Sequence, residues 1–293
     1  MQRTVNWKWR DSEVALGLDQ AGQGPSVVLL PSLSSISTRE EMYPLYERLS
    51  GRFRVATIDW PGFGSGARPR QDWSAEILSA FLDWFLSEII PRPYAIIAAG
   101  HGATFALYQA TNRPSTMRRL VLIAPTWRGP LPTMMGGSRP WFAGVCAALD
   151  HPLVGPPLYR LNVSPFVVGK MAREHVYSDP LWLGGSRLAA KLGVTRAPGA
   201  RYSSVRFVTG ALDRVRDRAA FLALARGASV PILVVYGAET PPKSRAEIEA
   251  LAGVPNVGIR RLSTGKLAIH EEMPDAVADA IVPFLSDQSR RPA

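Results

Sequence analysis

The stretch Tyr94-Ala-Ile-Ile-Ala-Ala-Gly-His-Gly-Ala-Thr-Phe-Ala-Leu107 reads as a buried strand, a tight turn of small residues and a helix. Such a turn lifts one side chain above a sheet, beside the free N–H groups that open the helix. His101 would start that helix beside those N–H groups, so its imidazole is a candidate acid, base or polarising donor; the plainer alternative is a packed or half-exposed helix residue. After another apolar run comes Pro31-Ser-Leu-Ser-Ser35, where Ser32, Ser34 and Ser35 offer hydroxyls around Leu33. A Ser-rich loop serves equally to satisfy its own backbone and to cap the helix carrying Thr38-Arg-Glu-Glu41. His270 is either a displaced base or the start of a helix. Thr240, ahead of Pro241 and Pro242, reads as a rigid turn and cap, and Asp59 as the side chain that fixes the turn after its strand. Cys146 is alone, and His101, His151, His175 and His270 are far apart in sequence, so neither a metal nor another cofactor is expected. A dinucleotide fingerprint would need glycine at position 105, where Phe105 stands.

The elements that must position these groups are legible as apolar runs. Residues 27–30, 55–58, 95–98, 120–123 and 232–235 are rich in Val, Ile, Leu and Ala without polar alternation, as strands covered on both faces are. Amphipathic helices are predicted near 38–50, 73–90 and 101–112. The alternation gives an α/β class with a mostly parallel central sheet and helices on both faces. Residues 5–10 and 13–19 read as an antiparallel hairpin extending one edge. Near the end, Val277, Ala280, Ile281, Phe284 and Leu285 share one helical face, with Pro283 as a predicted kink. The rhythm breaks at 127–214, which is rich in Gly, Pro and aromatics, with short helical pieces near 166–173 and 186–191.

In this order the pieces resemble the α/β-hydrolase superfamily. Leu29-Leu-Pro-Ser-Leu-Ser-Ser35 is similar to its oxyanion loop, Asp59-Trp-Pro-Gly-Phe-Gly-Ser65 to the turn after the next strand, and the turn around Gly100 to its nucleophile elbow. Asn112-Arg-Pro-Ser-Thr-Met-Arg-Arg-Leu-Val-Leu-Ile-Ala-Pro125 resembles the helix end and strand that follow. Val234-Val-Tyr-Gly-Ala-Glu-Thr240 resembles the acid-bearing turn, and His270-Glu-Glu-Met-Pro274 the start of the last helix. The resemblance implies an α/β-hydrolase fold over 1–293 as a single domain, with 127–214 as a helical lid. Trp141, Phe142, Tyr159 and Trp182 would then either line a cavity for a small apolar ligand or simply pack the lid.

The same resemblance places Gly100 at the nucleophile position, or Gly102 if the Gly-His pair is the anchor. Glu239 or Thr240 falls where the acid belongs, and Leu267 where the imidazole belongs. Acyl transfer on this scaffold needs a hydroxyl activated by an imidazole that a carboxylate orients. Losing the nucleophile or base costs on the order of 10⁶ in kcat. The expectation is therefore a non-hydrolytic binder of a small apolar ligand, or a scaffold. The alternative is a divergent lyase, decarboxylase or weak esterase using His101 and the Ser32–Ser35 loop.

Composition sets the remaining bounds. The 293 residues are 46% hydrophobic and 20% charged, which suits a folded globular chain. A single cysteine excludes an internal disulfide framework. The first residues lack the apolar core of a signal peptide, and no apolar run is long enough to span a bilayer, so a cytoplasmic location is expected. The net charge is +10, set mostly by Arg, with twelve Lys or Arg against four acidic residues in 151–230. Arg187, Lys191, Arg196, Arg201 and Arg206 are spread out, as on a solvated basic face. A third reading is thus a basic surface that docks on an acidic membrane or an acidic protein; nucleic acid is not the expected partner.

Overall fold

The computed structural model describes residues 1–64, 66 and 68–287. Eight strands form one sheet: β1 (Gln2–Trp9), β2 (Ser12–Ala21), β3 (Ser26–Leu30), β4 (Arg54–Ile58), β5 (Ala95–Ala99), β6 (Arg119–Ile123), β7 (Ile232–Gly237) and β8 (Val257–Leu262). Their order is β1-β2-β4-β3-β5-β6-β7-β8. The hairpin β1–β2 joins β4 antiparallel, and every other pairing is parallel. β5, which leads to the turn at Gly100, is central and buried along its whole length.

Alternation along the strands divides the core into two layers, because successive side chains point to opposite faces. Val28, Leu30, Ile96, Ala98, Leu120 and Leu122 meet the helices of one face. Val27, Leu29, Ala95, Ile97, Val121 and Ile123 meet those of the other. Both faces of these strands are thus apolar, and the runs carry no polar alternation. β8 is the strand that the runs do not announce. Its burial alternates and it carries Arg260 and Arg261, as a charged edge strand does.

The helices of the sheet domain begin with α1 (Tyr43–Ser50), which follows a 3₁₀ turn at Arg39–Met42 capped by Thr38. Next come α2 (Ala75–Trp84), capped by Ser74, and α3 (Gly102–Asn112). The predicted helix near 73–90 ends as a π-turn at Phe85–Ile89. Between β6 and β7 the chain inserts α4 (Pro130–Met135), α5 (Phe142–Asp150), α6 (Gly155–Asn162), α7 (Pro165–Met171), α8 (Gly185–Thr195) and α9 (Ala200–Thr209), then returns through α10 (Arg218–Gly227). After β7 come α11 (Pro242–Glu249), the short α12 (Ile269–Glu272) and α13 (Pro274–Ser286). α13 runs through Pro283, which lies in its last turn and removes a single backbone bond there.

Specific polar contacts tie the insertion to the sheet domain. Ser203 Oγ donates to the Gly62 carbonyl. Arg68 N donates to Pro198 O at 2.9 Å. Arg206 bridges Asp72 and Asp150 at 2.9 and 2.8 Å. Lys243 Nζ donates to the Thr133 and Met134 carbonyls at the end of α4. Two members of the supposed solvated basic face therefore point inward: Arg206 is buried in its bridge, and Lys191 has its side chain only 13% exposed. Among the described residues, no helix is long and apolar enough to cross a membrane.

Candidate active site

The loops after β3, β4 and β6 meet at the turn that follows β5. The apex is Gly100, at φ +51°, a left-handed conformation that costs a residue with a side chain more than it costs glycine. Its N–H donates to Ile123 O and its carbonyl accepts from Thr126 N, both at 3.0 Å, so the turn is clamped to the loop after β6. Gly102, the other candidate for the apex, is instead the first residue of α3. A Cβ there would lie 2.6 Å from Pro31 O, so its glycine permits the loop after β3 to pass close by. Trp60 Nε1 holds that same carbonyl at 2.8 Å.

Ser32 fills the space beside the apex. A Cβ built on Gly100 would lie 2.8 Å from Ser32 Oγ and 3.1 Å from Ser32 Cβ. A hydroxyl is therefore present at the head of the strand, supplied by the neighbouring loop. Leu33 is buried in the core. Ser34 Oγ lies 2.7 Å from Ser37 Oγ and accepts from Ile36 N, which satisfies its own loop. Asp59 acts as a turn-fixing group. It accepts from Arg39 N at 2.8 Å and from Arg39 Nη1 at 2.7 Å, while Arg39 Nε reaches Asp19 at 2.7 Å. Ser65, the last residue of that motif, lies outside the described residues.

His101 is buried beneath the insertion, against Phe105 and edge-on to Phe207 of α9. Its Nε2 lies 3.4 Å from Asp213 Oδ1, and the same oxygen accepts from Gly129 N at 2.9 Å. Burial pushes His101 down to about 4, against the pull of the Leu212 carbonyl. Burial likewise raises Asp213 to about 8, opposed by the Gly129 N–H and the Arg128 charge. At neutral pH the pair is an uncharged imidazole beside a carboxyl group that keeps its proton.

His270 belongs to a second buried group. Its Nε2 lies 3.5 Å from Glu41 Oε1, and Glu41 also accepts from Ser32 N–H. Lys191 of α8 reaches Glu271 at 3.0 Å and Glu41 at 3.9 Å, and Tyr177 OH donates to Glu271 at 2.9 Å. Burial alone would raise the Glu41 carboxyl, but His270, Lys191 and the Ser32 N–H together hold it below the usual carboxylate range. Burial disfavours the Lys191 ammonium, yet Glu271 and Glu41 outweigh that and raise it. Ligand atoms of Glu41, His270 and Glu271 lie within 4.8 Å of one another, a spacing that suits a metal. The Lys191 ammonium already supplies the cation that these carboxylates require.

The remaining positions hold no imidazole and no buried acid. Thr240 is buried with its hydroxyl unpartnered, and Glu239 is exposed. Leu267 is half-buried, in a loop tied to the insertion through Ala268 N and Val176 O. Of the aromatic residues read as a pocket lining, Trp141 is exposed, and Trp182 stacks on Tyr177 with ring centres 4.1 Å apart. Phe207 and Tyr177 take their place near the site. A cavity of about 260 Å³, lined by Thr4, Leu16, Gly17, Arg39 and Phe63, lies at the antiparallel edge of the sheet, away from Gly100.

Sequence reasoning missed Asp213, Glu41 and Lys191. Asp213 and Lys191 carry no local motif, and Glu41 reads as part of a helix cap. Only the fold joins them to His101 and His270.

The comparisons with known proteins agree with this architecture. The model of the alpha/beta hydrolase family matches residues 27–280. A haloalkane dehalogenase from Agrobacterium fabrum is 24% identical over 84 residues, which span 29% of this chain and 28% of that protein. A hydrolase from Pseudomonas aeruginosa PA01 superposes with a TM-score of 0.73 at 17% identity, covering 97% of this chain and 98% of that one. A thermophilic esterase from Thermogutta terrifontis gives 0.72 at 16% identity over 97% and 98% of the two chains. A haloalkane dehalogenase from Agrobacterium tumefaciens C58 gives 0.70 at 16% identity over 97% and 96%. At these identities the structural likeness concerns the fold, while the family model covers most of the sequence. The chain belongs to the alpha/beta hydrolase family.

Proposed function

We propose that this chain keeps the hydrolase scaffold without Ser-His-acid hydrolysis, as a non-hydrolytic binder or scaffold whose helical insertion serves as a lid. The observation that carries the reading is the apex itself: Gly100 occupies the strained turn and Ser32 Oγ fills the adjoining space. Neither a hydroxyl nor a carboxylate nucleophile can project from a residue without a side chain. Leu267 offers no proton acceptor, and Thr240 offers no charge to orient one. The test is turnover of short-chain p-nitrophenyl esters and of small haloalkanes by the full chain. The expected result is a rate that Ser32→Ala and His101→Gln leave unchanged. Turnover that either substitution removes contradicts the reading.

A second reading has its own support. His101 and Asp213 form a desolvated imidazole–carboxyl pair 3.4 Å apart, directly after the apex. With its proton retained, Asp213 can act as a general acid without a nucleophile, which suits a lyase or decarboxylase that protonates a carbanion. Solvent deuterium incorporated into a carbon product, and lost with Asp213→Asn, would favour this reading over the first.

A further inference from the structure

Apart from Met1, every strongly exposed large apolar side chain among the described residues lies between Met134 and Leu181 of the insertion. The densest part is the α6–α7 hairpin. Leu153 is 80% exposed, Leu161 69% and Phe166 75%, with Leu158 exposed beside them. Leu158 and Leu161 are three apart and share the outer face of α6, while Tyr159 and Val163, four apart, turn inward to a small core with Val168 of α7. The hairpin is therefore apolar on both sides. Its inner side is spent on folding, and its outer side has no partner among the described residues.

Charge decides what fits this outer side. On and beside this hairpin Arg160, Lys170 and Arg173 are exposed; Lys170 pairs with Glu174 at 3.8 Å, while Arg160 and Arg173 have no ion pair among the described residues. The segment 127–214 holds eleven Lys or Arg and four Asp or Glu; Arg128, Lys191, Arg206 and Arg214 are spent on carboxylates outside it, and the outward excess rests on exposed groups such as Arg160, Arg173 and Arg196. Long aliphatic and aromatic side chains ringed by basic groups match a bilayer interface: the apolar tips enter the acyl boundary and the cations stay among anionic headgroups. A free anion has no use for the leucines, and an uncharged bilayer has none for the arginines. We infer that the outer face of the α6–α7 hairpin docks on a lipid bilayer bearing anionic headgroups. This inference uses the surface of the insertion and is independent of the chemistry at Gly100.

The experiment is co-sedimentation of the full chain with phosphatidylcholine vesicles, with and without phosphatidylglycerol, across a salt series. The chain is expected to pellet with the anionic vesicles at low salt and to be released as salt rises. Arg160→Glu with Lys170→Glu should weaken binding at least about tenfold, since each basic group near the surface contributes roughly 1 kcal/mol. Leu158→Ser, Leu161→Ser and Phe166→Ser together should weaken it by a similar factor while the melting temperature holds, because these side chains leave the core untouched. A wild-type chain that stays in the supernatant with both vesicles overturns the proposal, as does equal binding by both variants. Self-association that the triple variant removes, without vesicle binding, assigns the face to a second copy and also overturns it.

Discussion

At Gly100 two independent conditions oppose a side chain: the positive φ and the approach of Ser32. Gly100→Ser should therefore cost about 1–3 kcal/mol by chemical denaturation, from strain at the turn together with the clash. Adding Ser32→Gly should return the steric share, so the double variant should be more stable than Gly100→Ser alone. The two changes should couple by at least about 0.5 kcal/mol, and strict additivity would mean that the two residues do not meet. His101 and Asp213 make a second prediction. Between pH 4 and 6.5 the unfolded chain binds a proton at the histidine that the native one refuses, while the native chain keeps a proton on Asp213 that the unfolded one has released. These effects cancel. From about pH 6.5 to 8 only Asp213 differs, so stability should fall as pH rises, by on the order of 1 kcal/mol per pH unit. Thermal melts of Asp213→Asn should lack that decline. Gly100 and His101 were legible because the strand, turn and helix around them are contiguous. Asp213 was not, because its only signal is the burial that tertiary packing creates.

The elements are held in register by charges that the sequence displays as if they were surface residues. Lys191 of α8 joins the insertion to Glu41 and Glu271 of the sheet domain, with Tyr177 closing the same group. Lys191→Met would leave two carboxylates buried without their cation, a loss of about 3–5 kcal/mol for a broken buried pair. The expected result is a lower melting temperature and faster proteolysis within the insertion; unchanged values would mean that the group does not hold these elements together. Strands β3 to β7 could be read from their apolar runs, since strands covered on both faces have no polar side to conceal them. β8 could not, because its edge position lets Arg260 and Arg261 interrupt the pattern. The insertion announced itself as a break in rhythm, whereas its attachment through Arg206 and Lys191 emerged only from the fold.

At the scale of the molecule, the two apolar layers flanking the sheet make no use of the residues at the apex. Val28, Ile96 and Leu120 on one face and Leu29, Ile97 and Val121 on the other specify the architecture whatever stands at Gly100. This separation explains how a chain can share its fold with hydrolases at 16–17% identity. With Gly100 at the head of β5, neither Ser32 nor another serine of its loop should behave as an activated nucleophile. Treatment of the intact chain with an alkyl fluorophosphonate, read by intact mass and peptide mapping, tests it most directly. The expected result is an unmodified mass; a stoichiometric adduct mapped to Ser32 or another serine of that loop would show an activated nucleophile there.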